Sequence, residues 1–295
     1  MNFSSVQSCP HSQFCSGCQF LGQSLQQQKD FKIKKLSSAL TQIGLCPTAI
    51  EFISPGDFAL RDRMDFVFEN NQWGMYSSSL KKIVDLNSCG QLSDELHSFY
   101  LEFRKIKWPI RKGSFRLRTG LQGLRGAWLD FSNHDVKNLL EQETHLRELM
   151  SLGCVEIGQK AKTLVDRGGK LKLAEPSLQA WFETRFQEKN FPLLGSIASF
   201  TQPSRKANLF LGKLLEQHYA EKKFKKTIEF GAGIGNLSLI FLDASEKFMT
   251  LEFDTQASVA LKENLKHAGQ CEKVEIQVDD FQRRQSFNWQ DCDFL

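Results

Sequence analysis

No stretch of this 295-residue chain is apolar for long enough to cross a membrane. The first residues, Met1 to Cys9, are polar and hold no apolar core of a secretory leader. Charge of one sign is scarce as well. The 38 Lys and Arg set against 34 Asp and Glu leave +4, too little by itself to argue for a nucleic-acid partner. No internal repeat or low-complexity segment stands out. A cytoplasmic chain without a membrane partner is therefore expected, in surroundings that keep thiols reduced. Eight cysteines in such a chain suggest metal binding or catalysis more than disulfides.

What is present allows a real core. Hydrophobic residues make up 41% of the chain, and its length suits one large or two medium domains. Helical spacing runs from about Gln19 to Ile43, with Gly44 and Pro47 closing it. Alternation at Met64, Phe66 and Phe68 predicts a strand. Asn70-Asn71 is a turn, with returning strands over Trp73 to Tyr76 and Lys82 to Leu86. A helix is expected over Asp94 to Phe103, and strands over Ser114 to Arg118 and Gly126 to Phe131. Val136 to Leu152 reads as one helix from an Asp135 cap to Gly153. Further strands are expected within Val155 to Val165 and Lys170 to Leu173, then a break near Asn190 to Pro192. Beyond it, helices over Lys206 to Tyr219, Asn236 to Ala244 and Ser258 to His267 alternate with strands. Those strands are Thr227 to Phe230, Phe248 to Phe253 and Val274 to Val278. Such alternation implies a parallel sheet with crossovers.

Three features carry chemistry. The first is the thiol set Cys9-x5-Cys15-x2-Cys18 with Cys89 far downstream. Thiolates so spaced can converge on a metal or an iron–sulfur cluster. Three clustered ligands and one distant ligand look more cluster-like than two close pairs. His11 could replace a thiolate in a zinc site. The second is Glu229-Phe230-Gly231-Ala232-Gly233-Ile234-Gly235-Asn236, between a strand and a helix. Glycines let backbone and ligand approach closely there. The Gly231-x-Gly233-x-Gly235 spacing suits S-adenosylmethionine (SAM) better than a dinucleotide. Glu252 ends the next strand, where an acid can accept both ribose hydroxyls. Asp279-Asp280 ends the third, where a carboxylate can accept from an adenine amino group. The third feature is the basic run from Arg104 to Arg125, interleaved with Trp108, Phe115 and Trp128. It suits phosphates and stacked bases, but more often such a run is a solvated face over core aromatics.

Taken together, these residues resemble the RNA uracil-C5 methyltransferase family, which makes 5-methyluridine in tRNA and rRNA. Arg61-Asp62-Arg63-Met64-Asp65-Phe66 resembles its first central strand. Ser199-Phe200-Thr201-Gln202-Pro203 is similar to its Phe-x-Gln segment. The resemblance implies that Cys9, Cys15, Cys18 and Cys89 hold a 4Fe–4S cluster of structural role. It implies SAM bound by Gln202, Gly231, Gly233, Gly235, Asn236, Glu252 and Asp280, and RNA as partner. The expected fold is an α/β Rossmann-like SAM-dependent methyltransferase domain, truncated, plus a mixed α+β central domain carrying the iron–sulfur cluster. Residues 1–20 and 54–190 are expected in the central, RNA-binding domain, and 21–53 with 191–295 in the SAM-binding domain.

There are departures. Ser204 stands where the family often has Asn, and no β-barrel extension precedes Cys9. The family's nucleophilic cysteine and glutamate base lie in a segment expected beyond Leu295, so no catalytic residue is assigned here. That suggests a truncated form of a longer enzyme, monomeric when complete, because a sheet stopping at its fourth strand leaves an unpaired edge. A non-catalytic RNA-binding or redox-sensing protein with a SAM pocket is the alternative. A zinc-containing methyltransferase of another target is a third reading.

Overall fold

The computed structural model describes residues 9–47, 49–56, 58–108, 110–131, 134–280 and 292. The first helix, α1 (Leu25–Gln42), starts later than its apolar spacing suggests. Ser24 ends the preceding loop by accepting from Gln27 N–H, while the Gln27 side chain answers to Ser24 N–H. That reciprocal cap fixes the start.

The next elements are β1 (Arg63–Glu69), β2 (Gln72–Ser77), β3 (Lys82–Asp85) and α2 (Asp94–Phe103). They are followed by β4 (Lys112–Thr119), β5 (Arg125–Asp130), α3 (Val136–Leu140) and α4 (Glu143–Leu152). Then come β6 (Cys154–Ile157), β7 (Lys162–Arg167) and β8 (Lys170–Ala174). The strands form one mixed sheet in the order β3-β2-β1-β4-β5-β6-β7-β8. Neighbours are antiparallel except β5 and β6, whose parallel pairing uses α3 and α4 as the crossover.

Alternation places Met64, Phe66 and Phe68 of β1 on the face that buries Phe115 and Leu117 of β4. Register sets Phe66 opposite Phe115, with ring centroids 5.3 Å apart. Leu96, Phe99, Tyr100 and Phe103 of α2 lie on one helical face and cover these rings. Ser93 caps α2, accepting from Leu96 N–H, and Asp94 and Glu95 favour the same end.

The second body contains the hairpin β9 (Gln179–Phe186) and β10 (Lys189–Gly195), then α5 (Arg205–Tyr219). It continues with β11 (Phe224–Phe230), α6 (Ser238–Phe241), β12 (Ser245–Glu252), α7 (Thr255–His267) and β13 (Val274–Val278). The last three strands pair in parallel, in chain order. Phe182, Phe186 and Leu193 of the hairpin join Leu239, Phe241, Leu242, Phe248 and Leu261 in one core.

Three expectations need correction. Asn190 to Pro192 is no break but the interior of β10, whose register shifts between Leu193 and Leu194. Pro192 fits because a strand of a two-stranded ribbon has a free side for a residue without N–H. The helix expected over 136–152 divides in two, since Gln142 takes a non-helical ψ of 45°. The helix after the glycine loop is a single turn, α6, extended by a 3-10 turn over Leu242–Ala244. Among the described residues no helix is long and apolar enough to cross a membrane.

Candidate cofactor site and cysteine group

The glycine loop leaves β11 at its C-terminal end, where ligands of parallel sheets bind. Gly231, Gly233 and Gly235 have φ of 68°, 57° and 94°, a region costly for residues with a Cβ. Their roles differ. A Cβ on Gly231 or Gly233 would meet nothing within 4 Å, so these two border open space. A Cβ on Gly235 would lie 2.7 Å from Leu261 Cδ1 of α7, so this glycine lets helix and loop pack. Gly231 N–H donates to Leu251 O at 2.8 Å and ties the loop to β12.

Glu252 ends β12 and is almost wholly buried. Its Oε2 accepts from Gly233 N–H at 2.6 Å and its Oε1 from Asp254 N–H at 2.8 Å. An ionised carboxylate offers about four lone-pair sites, so two remain for ribose hydroxyls. Asp279 N–H donates to Glu252 O at 3.2 Å, which places Asp280 beside the same strand end. Open space in front of two glycines and a fixed acid at the next strand end fit the adenosine part of SAM.

Glu229, in the loop's first position, carries a signal that composition and spacing do not. Burial pushes its carboxyl up to about 7; Ser238 Oγ, donating at 2.6 Å, opposes this and Glu252 adds to it. Asn236 has its amide engaged. It exchanges two 2.8 Å hydrogen bonds with the buried Asn208 of α5, and its carbonyl accepts from Thr184 Oγ1 at 2.7 Å. Asn264 of α7, wholly buried, accepts from Leu194 N–H and donates to the carbonyls of Leu194 and Ile234. One amide thus joins hairpin, loop and helix.

The segment Ser196 to Arg205 carries Gln202, whose side chain is exposed. Three charged residues of the eight-stranded body hold its backbone. Glu156 of β6 accepts from Ile197 N–H at 2.7 Å and Ala198 N–H at 2.9 Å. Arg118 of β4, fully buried, donates to the carbonyls of Ser196, Ile197 and Ser199 and to Thr201 Oγ1 at 2.6 Å. Asp62 accepts from Arg205 N–H at 2.8 Å, and its own N–H donates to Pro203 O. Burial, then Arg63 and Arg116, push Arg118 down to about 9, which still leaves it charged at neutral pH. Burial raises Glu156, and the two backbone N–H groups and Arg118 pull it back. None of these three was given this role in sequence, although Asp62 lies in the quoted Arg61–Phe66 stretch and Arg118 in the basic run.

The cysteine residues come together from two distant segments. Burial raises the Cys18 thiol to about 11, and Cys89, Cys15 and Cys9 add to the shift, so all four lie within electrostatic reach. Cys15 and Cys89 pack against the aromatic core. His11 Nε2 lies 3.0 Å from Asn87 Oδ1, which joins the two segments. Among the described residues, however, no three His, Cys, Asp or Glu side chains are gathered closely enough to hold a metal ion. The donor chemistry fits a soft metal or cluster, which would displace the thiol protons. The side-chain positions do not by themselves form such a site.

The basic run is largely structural. Trp108 and Phe115 are buried in the core. Arg104 pairs with Asp85, Arg116 with Asp65 and Arg125 with Glu102. Four of its charges, on Arg104, Lys112, Arg116 and Arg125, pair with carboxylates of the same body.

No family model matches the chain. An uncharacterized RNA methyltransferase of Bdellovibrio bacteriovorus is 36% identical over 282 residues, covering 94% of this chain and 73% of that protein. Among solved structures, the Pyrococcus abyssi tRNA (uracil-54, C5)-methyltransferase in complex with S-adenosyl-L-homocysteine superposes with a TM-score of 0.57. That match covers 90% of this chain and 66% of that one at 16% identity, and it shows a shared fold. On the likeness to the Bdellovibrio protein, the chain belongs to the RNA methyltransferase family.

Proposed function

We propose that the chain is the donor-binding and RNA-positioning part of a SAM-dependent methyltransferase acting on C5 of a uridine in rRNA or tRNA. The observation that carries the methyl-donor reading is the cradle. Gly231 and Gly233 border open space while Glu252 stands fixed beside them. When bound, SAM supplies an electrophilic methyl group. Gly231, Gly233, Glu252, Asp280 and Gln202 would face it; Gly235 and Asn236 shape the loop from behind.

The uridine-C5 part rests on the resemblance of the cysteine spacing, the Phe200-x-Gln202 segment and the glycine loop. The Cys9, Cys15, Cys18 and Cys89 set would hold a 4Fe–4S cluster of structural role. What supports the cluster is the resemblance of the Cys9-x5-Cys15-x2-Cys18 spacing with Cys89, together with four thiols within electrostatic reach of one another. The sequence boundary at 190/191 would cut the β9–β10 hairpin, so in domain terms we assign 1–20 and 54–178 to the cluster and RNA, and 21–53 with 179–295 to the donor.

Two measurements test this. Anaerobic purification followed by iron, sulfide and zinc analysis should give about four irons and four sulfides per chain; zinc without sulfide rejects the cluster. Incubation of the protein, extended by the segment that the resemblance expects after Leu295, with labelled SAM and unmodified tRNA and rRNA transcripts, then nucleoside mass spectrometry, should give 5-methyluridine. Label in another nucleoside rejects C5 specificity. RNA binding with no methyl transfer favours the non-catalytic alternative.

A further inference from the structure

Most guanidinium groups around the Ser196–Arg205 segment have partners. Arg116 donates to Asp65 at 2.6 Å and to Ala198 O at 2.9 Å. Arg205 reaches Asp62 and Glu95, and Arg118 donates from Nη1 to carbonyls and from Nη2 to Thr201, its buried Nε alone having no partner. Arg61 and Arg63 differ. Among the described residues neither forms an ion pair with a carboxylate. The guanidinium carbon of Arg63 sits 5.2 Å from the ring centroid of Phe200, and its Nη1 is buried with no hydrogen-bond partner. Burial and the charge of Arg116, with Arg61 adding to it, hold Arg63 below the usual guanidinium range, and Asp65 opposes them.

A buried, unpaired N–H of a charged group costs more than an ordinary lost hydrogen bond. Like charges gathered beside it add to that cost. An anion offsets both, and a phosphate matches the planar guanidinium fork. We propose that Arg61 and Arg63 form a phosphate-binding site for the backbone of single-stranded RNA. The site lies next to the segment that carries Gln202. The proposal rests on the RNA methyltransferase reading and gives the RNA a docking point on this chain.

Position supports this choice. Phe200 is 70% exposed, so the Arg63 side of the segment opens to solvent. Arg61 is set from behind: its N–H donates to Gln91 O at 2.8 Å, and its carbonyl accepts from Ser93 N–H at 2.9 Å. Gln91 and Ser93 lie two and four residues after Cys89, and the Arg61 charge reaches the Cys18 thiol, so Arg61 stands beside the cysteine group.

The test uses the full chain and a fluorescent oligouridylate of about 20 nucleotides, with affinity read by anisotropy across a salt series. The double variant Arg61→Gln with Arg63→Gln should bind about tenfold more weakly. Its slope of log affinity against log salt should flatten by about 0.7 for each phosphate that is no longer neutralised. A control removes two charges elsewhere, Lys170→Gln with Lys172→Gln on β8. That strand lies five positions from β1 in the sheet, roughly 24 Å away. The control should keep affinity and slope nearly intact. Arg63→Lys should restore most of the slope, because charge returns without the fork.

Equal effects of the two double variants would overturn the site and reduce it to general positive charge. An unchanged slope in Arg61→Gln with Arg63→Gln would overturn it too. In either case SAM binding by the same protein leaves the methyltransferase reading standing. If the wild-type chain binds SAM but no oligouridylate, the site and RNA positioning by this chain both fall.

Discussion

Both bodies have mixed aliphatic and aromatic cores, but the eight-stranded body stacks its rings in one cluster, whereas the parallel-sheet body adds buried amides around its glycine loop. In the first, Phe66, Trp73, Phe103 and Phe115 meet ring to ring, and its strands come from hairpins or short crossovers. Such close packing leaves side chains little room to move, and the charges buried beside it, Arg118 and Glu156, serve the join to the other body. In the second, Asn208, Asn264 and Thr184 are buried so that backbone groups around the glycine loop find partners, and Ser238 is buried on the Glu229 carboxyl. A loop shaped for a ligand cannot satisfy its backbone by regular ladders, so side chains do it. The comparison teaches that the stiff body serves as scaffold, while the polar body holds the cradle. Arg118, Glu156 and Asp62 reach from one to the other.

If the join is as important as this division implies, breaking it should cost most. Arg118→Met strands the carbonyls of Ser196, Ile197 and Ser199 and leaves Glu156 without its counter-charge. Removing one partner of a buried charged network costs about 3–5 kcal/mol. Urea unfolding should show that loss, and SAM affinity should fall with it, because Gln202 loses its support. A loss below about 1 kcal/mol would mean the two bodies are joined elsewhere.

Fold and site were legible in the sequence to different depths. The glycine loop was readable because its signal is local, and α2 matched residue for residue because Ser93 and the Leu96–Phe103 stripe mark its face and start. The join was not. Glu156 meets Ile197 across 41 residues of chain, Arg118 meets Ser196 across 78, and Asp62 meets Arg205 across 143. A single sequence carries no mark of such pairings. Asn236 shows the converse: next to the glycines it reads as a ligand contact, yet Asn208, 28 residues earlier, takes its amide. The split at Gln142 was missed because apolar spacing continues across it into Leu146 and Leu149.

Within the polar body, the glycines should separate by role. Gly235→Ala combines a positive φ with a 2.7 Å approach to Leu261, and should destabilise by about 2–4 kcal/mol. Gly233→Ala carries the φ cost alone, about 1–2 kcal/mol, but places a methyl in the open cradle. It should therefore weaken SAM binding more than its stability loss suggests. Thermal melts with and without SAM separate the two effects.

Asn264→Ala should cost about 1–3 kcal/mol, since Leu194 and Ile234 lose buried partners. Amide exchange should rise at Leu194 before it rises in the aromatic body. Uniform exchange across both bodies would erase the distinction drawn between them.

A further effect is a pH dependence. Glu229 is raised from the usual carboxylate value to about 7. The folded chain then holds a proton that the unfolded chain has released between about pH 4.5 and 7. Stability from this group is full below about 4.5 and is lost as pH rises through about 7. Glu229→Gln should remove that slope, which is on the order of 3 kcal/mol across the window. Parallel wild-type and variant curves would show that Glu229 ionises normally.

The central claim is that the space before Gly231 and Gly233, flanked by Glu252, holds SAM. Isothermal titration of SAM into the chain and into Glu252→Gln tests it directly. The account predicts saturable one-to-one binding that weakens at least about tenfold in the variant, the worth of one charge-assisted hydrogen bond. Equal affinity in both proteins, or no binding to the wild-type chain, would contradict it.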